Sequence, residues 1–445
     1  MRGLGLLRDF RRDPLAVLTT LHRDQGPIVR LPVPYFSVYL VSDPNAIQRA
    51  LTRTHREYHK GISRRGDPSG PGIMPLERVL GQGLLTSEAA LHRQQRRLIQ
   101  PMFHRARVAE YRETFAALAD ETVSGWRAGE SRDVHRDLTE LTLAIIARTV
   151  FDVALDAEVI TVIRTAMVRH QPAMSRLASP VGRALDRLPL PSTRRWRRDQ
   201  ARINRLLYEL IAARRSEPGG RDVLSLLLAA RDPDTGAPMP DRQVRDEAMT
   251  LLLAGHETTA NALAWALHLL ATHPEAQVRA GEDEPYLRAV WQEALRLFPP
   301  AWLQTRRLTE PDVVCGQRLP AGSMLVFSPW VVHRDPRWWP EPDAFRPERW
   351  LDPSPERPRY AYFPFGGGPR QCIGNDFADL EGRTVLDAVL RRWRLTPTPD
   401  APPVVPQPLV TLRPRFGVTL TVHPRRRADQ GEVDRHGDQT RSTSP

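Results

Sequence analysis

The chain opens its patterned region with IVRLPVPYFSVYLVSDP, where apolar and polar positions alternate among β-branched and aromatic residues, as in a short hairpin lying on one side of a core. From about 87 to 272 the period changes to three and four, which predicts helices, interrupted at Pro172, Pro180, Pro189 and Pro191. Asp241, following Pro240, is placed to cap a helix that runs to Thr272 and stops before Pro274. At ~1.5 Å per residue this helix is ~48 Å long, enough to cross a whole domain. Its stretch MTLLLAGHETTANALAWALHLLA is apolar nearly all round, which predicts burial inside protein. A shorter helix follows Glu282, Asp283, Glu284 and Pro285 and ends at Pro299-Pro300. Turn-rich sequence fills 301 to 370, a last helix runs from about Asn375 to Trp393, and short strands in VTL and GVTLTV close the pattern. No linker or internal repeat divides the chain, so 1–423 reads as one domain and 424–445 as a disordered polar tail.

Composition narrows the class. With 445 residues, 41% hydrophobic and 26% charged, the chain is neither a disordered polymer, a coiled coil nor a disulfide miniprotein. The two cysteines, Cys315 and Cys372, build no disulfide framework or zinc cluster, which suits a reducing cytoplasm. No 18-residue uncharged span occurs, so no membrane span is expected. The net charge of +12 comes from one lysine, Lys60, and 63 arginines scattered among 52 acids, with no nucleic-acid-binding signature, so no nucleic-acid partner is expected.

The densest chemistry lies in FPFGGGPRQCIG, Phe363 to Gly374. A cysteine in a glycine-rich turn at a helix start has free amides and a helix dipole to stabilise its thiolate. Glycines also let the backbone approach a flat cofactor. A lone cysteine is more often a buried structural one, but these glycines reverse that expectation. Gln371 occupies the place of the last glycine of a GxGxxG dinucleotide fingerprint, which excludes that motif. Glu293 and Arg296 in EALRLF share a helix face. Within AGHETT, Glu257 and two threonines are costly in an apolar helix without a task, and the Thr258 hydroxyl can reach the carbonyl of Ala254. His92 and Arg96 lie four apart on one face.

Phe365, Gly368, Arg370, Cys372 and Gly374 resemble the signature of the cytochrome P-450 haem-thiolate monooxygenases, and the other motifs stand in that family's order. The resemblance covers roughly residues 25 to 422 and implies a mainly α fold with a small β-lobe, haem b lying between the central helix and the cysteine loop. It implies that Cys372 is the iron ligand and that Phe365, Gly366 and Ala254 contact the cofactor. Arg370, His92, Arg96 and Arg306 would hold its propionates, Arg307 being the neighbouring alternative because the usual downstream Asp is displaced to Asp312. Glu257 and Thr258 would order water and relay protons for dioxygen activation, Gly255 would open a groove, and Thr259 and His256 would stay outside the relay. Glu293, Arg296 and Arg349, the last from FRPERW, would form a structural triad, with Trp350 in place of the usual Phe. His333 receives no catalytic role, and Cys315 reads as structural.

The same resemblance assigns pocket segments that offer Ile73, Met74, Leu80, Leu251, Trp302, Leu303 and Leu409, an apolar inventory that suits a terpenoid or other secondary metabolite better than an ionic metabolite. A fatty-acid or polyketide hydroxylase is the alternative. Electrons would come from a ferredoxin or flavodoxin with its NAD(P)H reductase, docking near Arg93, Arg97, Arg105 and Arg107. A peroxide-driven haem-thiolate enzyme would usually lack the acid-alcohol pair, and a gas sensor would carry an output domain.

Overall fold

The computed structural model describes residues 3–33, 36–53, 57–60, 76–153, 163, 188, 190–232, 234–352 and 356–425. Two helices not foreseen from the pattern, Gly3–Arg12 and Pro14–Gln25, precede the hairpin; the second is capped by the Asp13 carboxylate, which accepts from the Ala16 amide at 3.0 Å.

The hairpin forms as expected, Ile28–Leu31 pairing antiparallel with Val38–Val41, but it is not a one-sided layer. Val38–Val41 runs parallel to Met324–Phe327, which pairs antiparallel with Gln304–Leu308, and Tyr58–His59 closes the far edge. All four residues of Val38–Val41 are buried, because their alternate side chains enter two separate cores. Tyr39 and Val41 join Leu325 and Phe327, while Val38 and Leu40 join Leu15, Leu18 and Leu21 of the second helix.

The central helix spans Asp241–Thr272, with Pro240 at its cap, one position before the Asp241 that the sequence suggested, and Asp241 in its first turn. It packs against the helix Val134–Val150, the helix Glu284–Leu297 and the C-terminal helix Asn375–Arg392, and its apolar residues form the middle of the largest core. The Asp283 side chain caps Glu284–Leu297 by accepting from the Tyr286 amide at 3.2 Å. The C-terminal helix ends at Arg392; Trp393, expected inside it, adopts extended backbone and begins the strand Trp393–Pro397.

The expected tail boundary also moves. Pro424 pairs with Trp393 at the end of the strand Thr419–Pro424, and Arg425 donates to the carbonyl of Gly281 at 3.0 Å and to Glu282 at 2.8 Å. Residues 426–445 of that tail, and the reading of Pro172, Pro180 and Pro189 as helix breaks, fall outside the described residues. The architecture is mainly α with a small β-lobe. Among the described residues no helix is long and apolar enough to cross a membrane.

Candidate functional site

The cysteine loop is shaped by what its glycines permit. Gly366 and Gly368 take φ values of +69° and +66°, where a side chain is strained. A Cβ on Gly368 would stand 2.1 Å from the carbonyl oxygen of Leu51, so the loop lies directly on the helix Pro44–Thr52. The Cys372 amide donates to the carbonyl of Phe365 at 2.9 Å, closing the turn, and Phe365 itself packs against the main core. Arg96 Nη1 donates to the carbonyl of Gln371 at 2.6 Å, tying the helix Ala89–Ile99 to the residue before the cysteine.

The Cys372 side chain is exposed at its own surface while protein surrounds it on a longer range. That surrounding protein raises the thiol pKa, opposed by the Gly374 amide and by the charges of Arg96 and Lys60. Among the described residues, the charges linked to it through this cluster are Arg96, Lys60, Arg306 and Arg370 against the acid Glu88. Arg306 is buried, and burial followed by the charge of Arg370 pulls its pKa down to about 9. Arg370, its side chain 2% exposed, donates to Glu88 at 2.7 Å and to the carbonyls of Leu84 and Ser87. Its Nε is buried without a hydrogen-bond partner. Lys60 donates to the Leu85 carbonyl at 2.6 Å; burial, then Arg370 and Arg306, pull its pKa well below the ordinary lysine value.

Glu88 is the acid whose charge opposes these shifts in all three. A set of buried cations short of negative charge, beside a thiol at a helix start, fits a group that carries carboxylates and a thiolate-seeking metal. The charges of Arg370 and Glu88 both act on Arg306. Asp312 takes no part in this cluster: it pairs with Arg49 and accepts from the Tyr58 hydroxyl. His92 is buried on the same helix as Arg96. Lys60 was not singled out from the sequence, although its being the one lysine of the chain was an available signal.

On the central helix, Thr258 donates to the Ala254 carbonyl at 2.7 Å, as its spacing predicted, and Thr259 donates to that of Gly255 at 3.2 Å. Ala254 is exposed although it lies mid-helix between buried turns. A Cβ on Gly255 would meet Ile146 Cδ1 at 2.6 Å, so this glycine also admits the helix Val134–Val150. Burial raises the Glu257 carboxyl, against the Thr411 hydroxyl, which donates to it at 2.6 Å, and the charge of Arg413. His256 is a buried core residue: its Nδ1 donates to the Leu252 carbonyl at 2.6 Å and burial pulls its pKa to about 4.

Glu293 and Arg296 are both fully buried, joined by two bonds of 2.9 and 2.8 Å, and Arg349 Nε reaches Glu293 at 3.1 Å. Two further donors were missed. Trp350 Nε1 donates to Glu293 at 2.8 Å, so the indole is more than an aromatic filler, and the Arg346 amide donates at 3.0 Å. Arg296 in turn donates to the carbonyls of His333, Pro342 and Ala344. His333 Nε2 accepts from the Phe363 amide at 3.0 Å, so the network ends on the first residue of the cysteine loop.

Of the pocket candidates, Leu80 and Leu251 are buried in the main core, and Leu303 and Leu409 are half-buried. Trp302 packs with the leucines of the sheet lobe and donates to the Leu409 carbonyl at 3.0 Å, which gives it a packing role. Ile73 and Met74 lie outside the described residues. Of the four candidate docking arginines, Arg97 pairs with Asp234 at 2.8 Å and Arg107 with Glu110, while Arg93 and Arg105 are exposed. Cys315, its thiol raised to about 11 by burial, then the charge of Asp43, packs beside the sheet lobe.

The family model described as Cytochrome P450 matches residues 2–420. The chain is 38% identical to cyclooctatin synthase of Streptomyces melanosporofaciens over 96% of this chain and 93% of that one. It is 34% identical to cyclooctat-9-en-7-ol 5-monooxygenase of the same organism, covering 89% and 88% of the two chains. Among solved structures, CYP175A1 from Thermus thermophilus superposes with a TM-score of 0.77 at 35% identity, over 94% of this chain and 97% of that one.

Proposed function

The chain belongs to the cytochrome P450 family and is a haem b monooxygenase, and on that premise we propose that its substrate is an apolar terpenoid, a cyclic hydrocarbon or alcohol, that it hydroxylates or epoxidises. The observation that carries the substrate is the relative whose name makes it a 5-monooxygenase of cyclooctat-9-en-7-ol, 34% identical along most of both chains. The apolar residues Leu80, Leu251, Leu303 and Leu409 support the same class, since none offers a charge to bind an ionic head group. A fatty-acid or polyketide hydroxylase is the second reading.

Haem, when bound, supplies dioxygen activation, and electron donation from a thiolate ligand favours O–O cleavage. Cys372 is the residue proposed to ligate it, with Phe365, Gly366 and Ala254 against its faces and Arg306, Arg370, His92 and Arg96 on its carboxylates. The clustering of Arg306 and Arg370 with other cations around the acid Glu88 supports that assignment. Glu257 and Thr258 are proposed to deliver protons. The Thr258 hydroxyl donates to the Ala254 carbonyl and so keeps its lone pairs for a water, while burial shifts the Glu257 carboxyl toward its protonated form. This acid-alcohol pair weighs against a purely peroxide-driven enzyme. Electrons are proposed to come from a ferredoxin or flavodoxin with its NAD(P)H reductase, in the cytoplasm.

A ligand screen reading the low-spin to high-spin Soret shift tests the substrate. Cyclic terpene alcohols and hydrocarbons are expected to produce it, and to yield singly oxygenated products with dioxygen, reductase, redox protein and NAD(P)H. A shift with fatty acids and none with terpenoids would overturn the proposal.

A further inference from the structure

Glu257 is held from the side by a chain of side chains drawn from three separate segments. Thr411, just before the strand Leu412–Pro414, donates to Glu257 Oε1 at 2.6 Å. Asn261, one turn further along the central helix, donates from Nδ2 to Thr411 Oγ1 at 3.2 Å and also hydrogen-bonds Glu257 directly, lowering its pKa. Its Oδ1 lies 2.8 Å from Nε2 of His135, in the first turn of the helix Val134–Val150. Asn261 and Thr411 are buried, so water does not compete for these bonds.

The chain has a direction set by chemistry. A carboxylate only accepts, so Thr411 must give its one proton to Glu257 and accept from the Asn261 amide nitrogen. The Asn261 oxygen then faces His135, which must carry a proton on Nε2. A protonated Glu257 can still accept on Oε1, and if it donates instead, the Thr411 oxygen can accept from it and from Asn261 together, so protonation weakens the hold on the carboxyl without changing the bond to His135. The amide of Asn261 is a poor proton conductor, so the chain transmits orientation and not a proton.

We infer that His135, Asn261 and Thr411 are positioning residues that latch Glu257 and favour its ionised form against the effect of burial. The inference rests on Glu257 being the proton-handling acid. Asp133 and Arg413 are the charges that act on His135, and Arg413 acts on Glu257 as well. Burial works against ionisation at both ends, raising Glu257 and lowering His135, so the hydrogen bonds oppose desolvation at each.

The test follows the carboxyl itself in the haem-loaded protein. Infrared difference spectra against pH, with the Glu257 band assigned by its loss in Glu257→Gln, give the midpoint of its ionisation. Thr411→Val removes the hydroxyl at constant shape and is expected to raise that midpoint by about one pH unit. Thr411→Ser should behave as the parent, and His135→Phe should move the midpoint the same way by less. In turnover, Thr411→Val should release several-fold more peroxide per NAD(P)H with an unchanged spin-shift Kd. An unmoved midpoint in Thr411→Val, a Thr411→Ser variant that matches Thr411→Val, or a His135→Phe variant that matches the parent would each overturn the inference. If Glu257→Gln itself couples normally, the relay reading fails while the midpoint still decides the latch.

Discussion

Glu247, Glu257 and Glu293 are all taken out of water on or beside the same helices, yet their surroundings treat the charge differently. Burial raises the Glu293 carboxyl, but the hydrogen bonds and charge of Arg296, with the charge of Arg349, outweigh it and leave the pKa below the ordinary carboxylate value. Among the described residues, no such cation acts on Glu247. Burial pushes it from about 4.5 up to about 8, resisted by the Leu84 amide and Gln243, both at 2.8 Å. Above pH 4.5 the unfolded chain releases a proton that the folded chain keeps. Stability from this group therefore falls as pH rises from about 4.5 to about 8, by up to ~1.4 kcal/mol per pH unit. Glu247→Gln should flatten the pH dependence of denaturant unfolding across that window; an unchanged slope would refute the assignment. The three-residue spacing of Glu293 and Arg296 made them legible in the sequence, because helical geometry alone brings them together. Glu247 was not, since nothing local distinguishes a buried acid in the first turns of a long helix from a solvated one.

Element boundaries were legible at Pro240, Pro274 and Gly374. The central helix and the start of the C-terminal helix fall where the sequence placed them. Trp393 did not follow, because its pairing with Pro424 and the bond from its Nε1 to the Val123 carbonyl at 3.0 Å outweigh helical propensity. Packing between elements has its own requirement at Gly382, in the middle of the C-terminal helix. A Cβ there would stand 2.5 Å from the Trp291 ring, which is 1% exposed and has no room to turn. Alanine in a helix interior normally gains ~1 kcal/mol over glycine. Here Gly382→Ala is expected to lose about 1–3 kcal/mol by overpacking, read from denaturant midpoints. A variant more stable than the parent would show that the two helices can separate freely. Since Cys372 precedes this helix, the same variant should also lose its carbon monoxide difference peak at lower temperature.

Across the whole molecule, the net charge of +12 acts at a range that no single pair does. With Arg97 and Arg107 already engaged by acids, Arg93 and Arg105 carry the exposed charge beside the helix Ala89–Ile99. Raising salt should therefore slow reductase-driven turnover by lowering the rate of association with an acidic redox protein, while leaving the carbon monoxide spectrum intact. A rate independent of salt would exclude electrostatic docking. The central helix, the cysteine turn and the placing of Glu257 and Thr258 side by side in that helix were determined by the sequence alone, because proline, glycine and apolar spacing act within a turn or two of chain. Which buried polar groups meet was decided only by tertiary structure. Thr411 finds Glu257 across 154 residues, and His333 joins Arg296 to the cysteine loop across 37 and 30. Lys60 stands beside Arg306 and Arg370 from a strand edge at the other end of the chain. Such bonds gain their strength when packing excludes the water that would otherwise satisfy each partner, and no local pattern records which partner arrives.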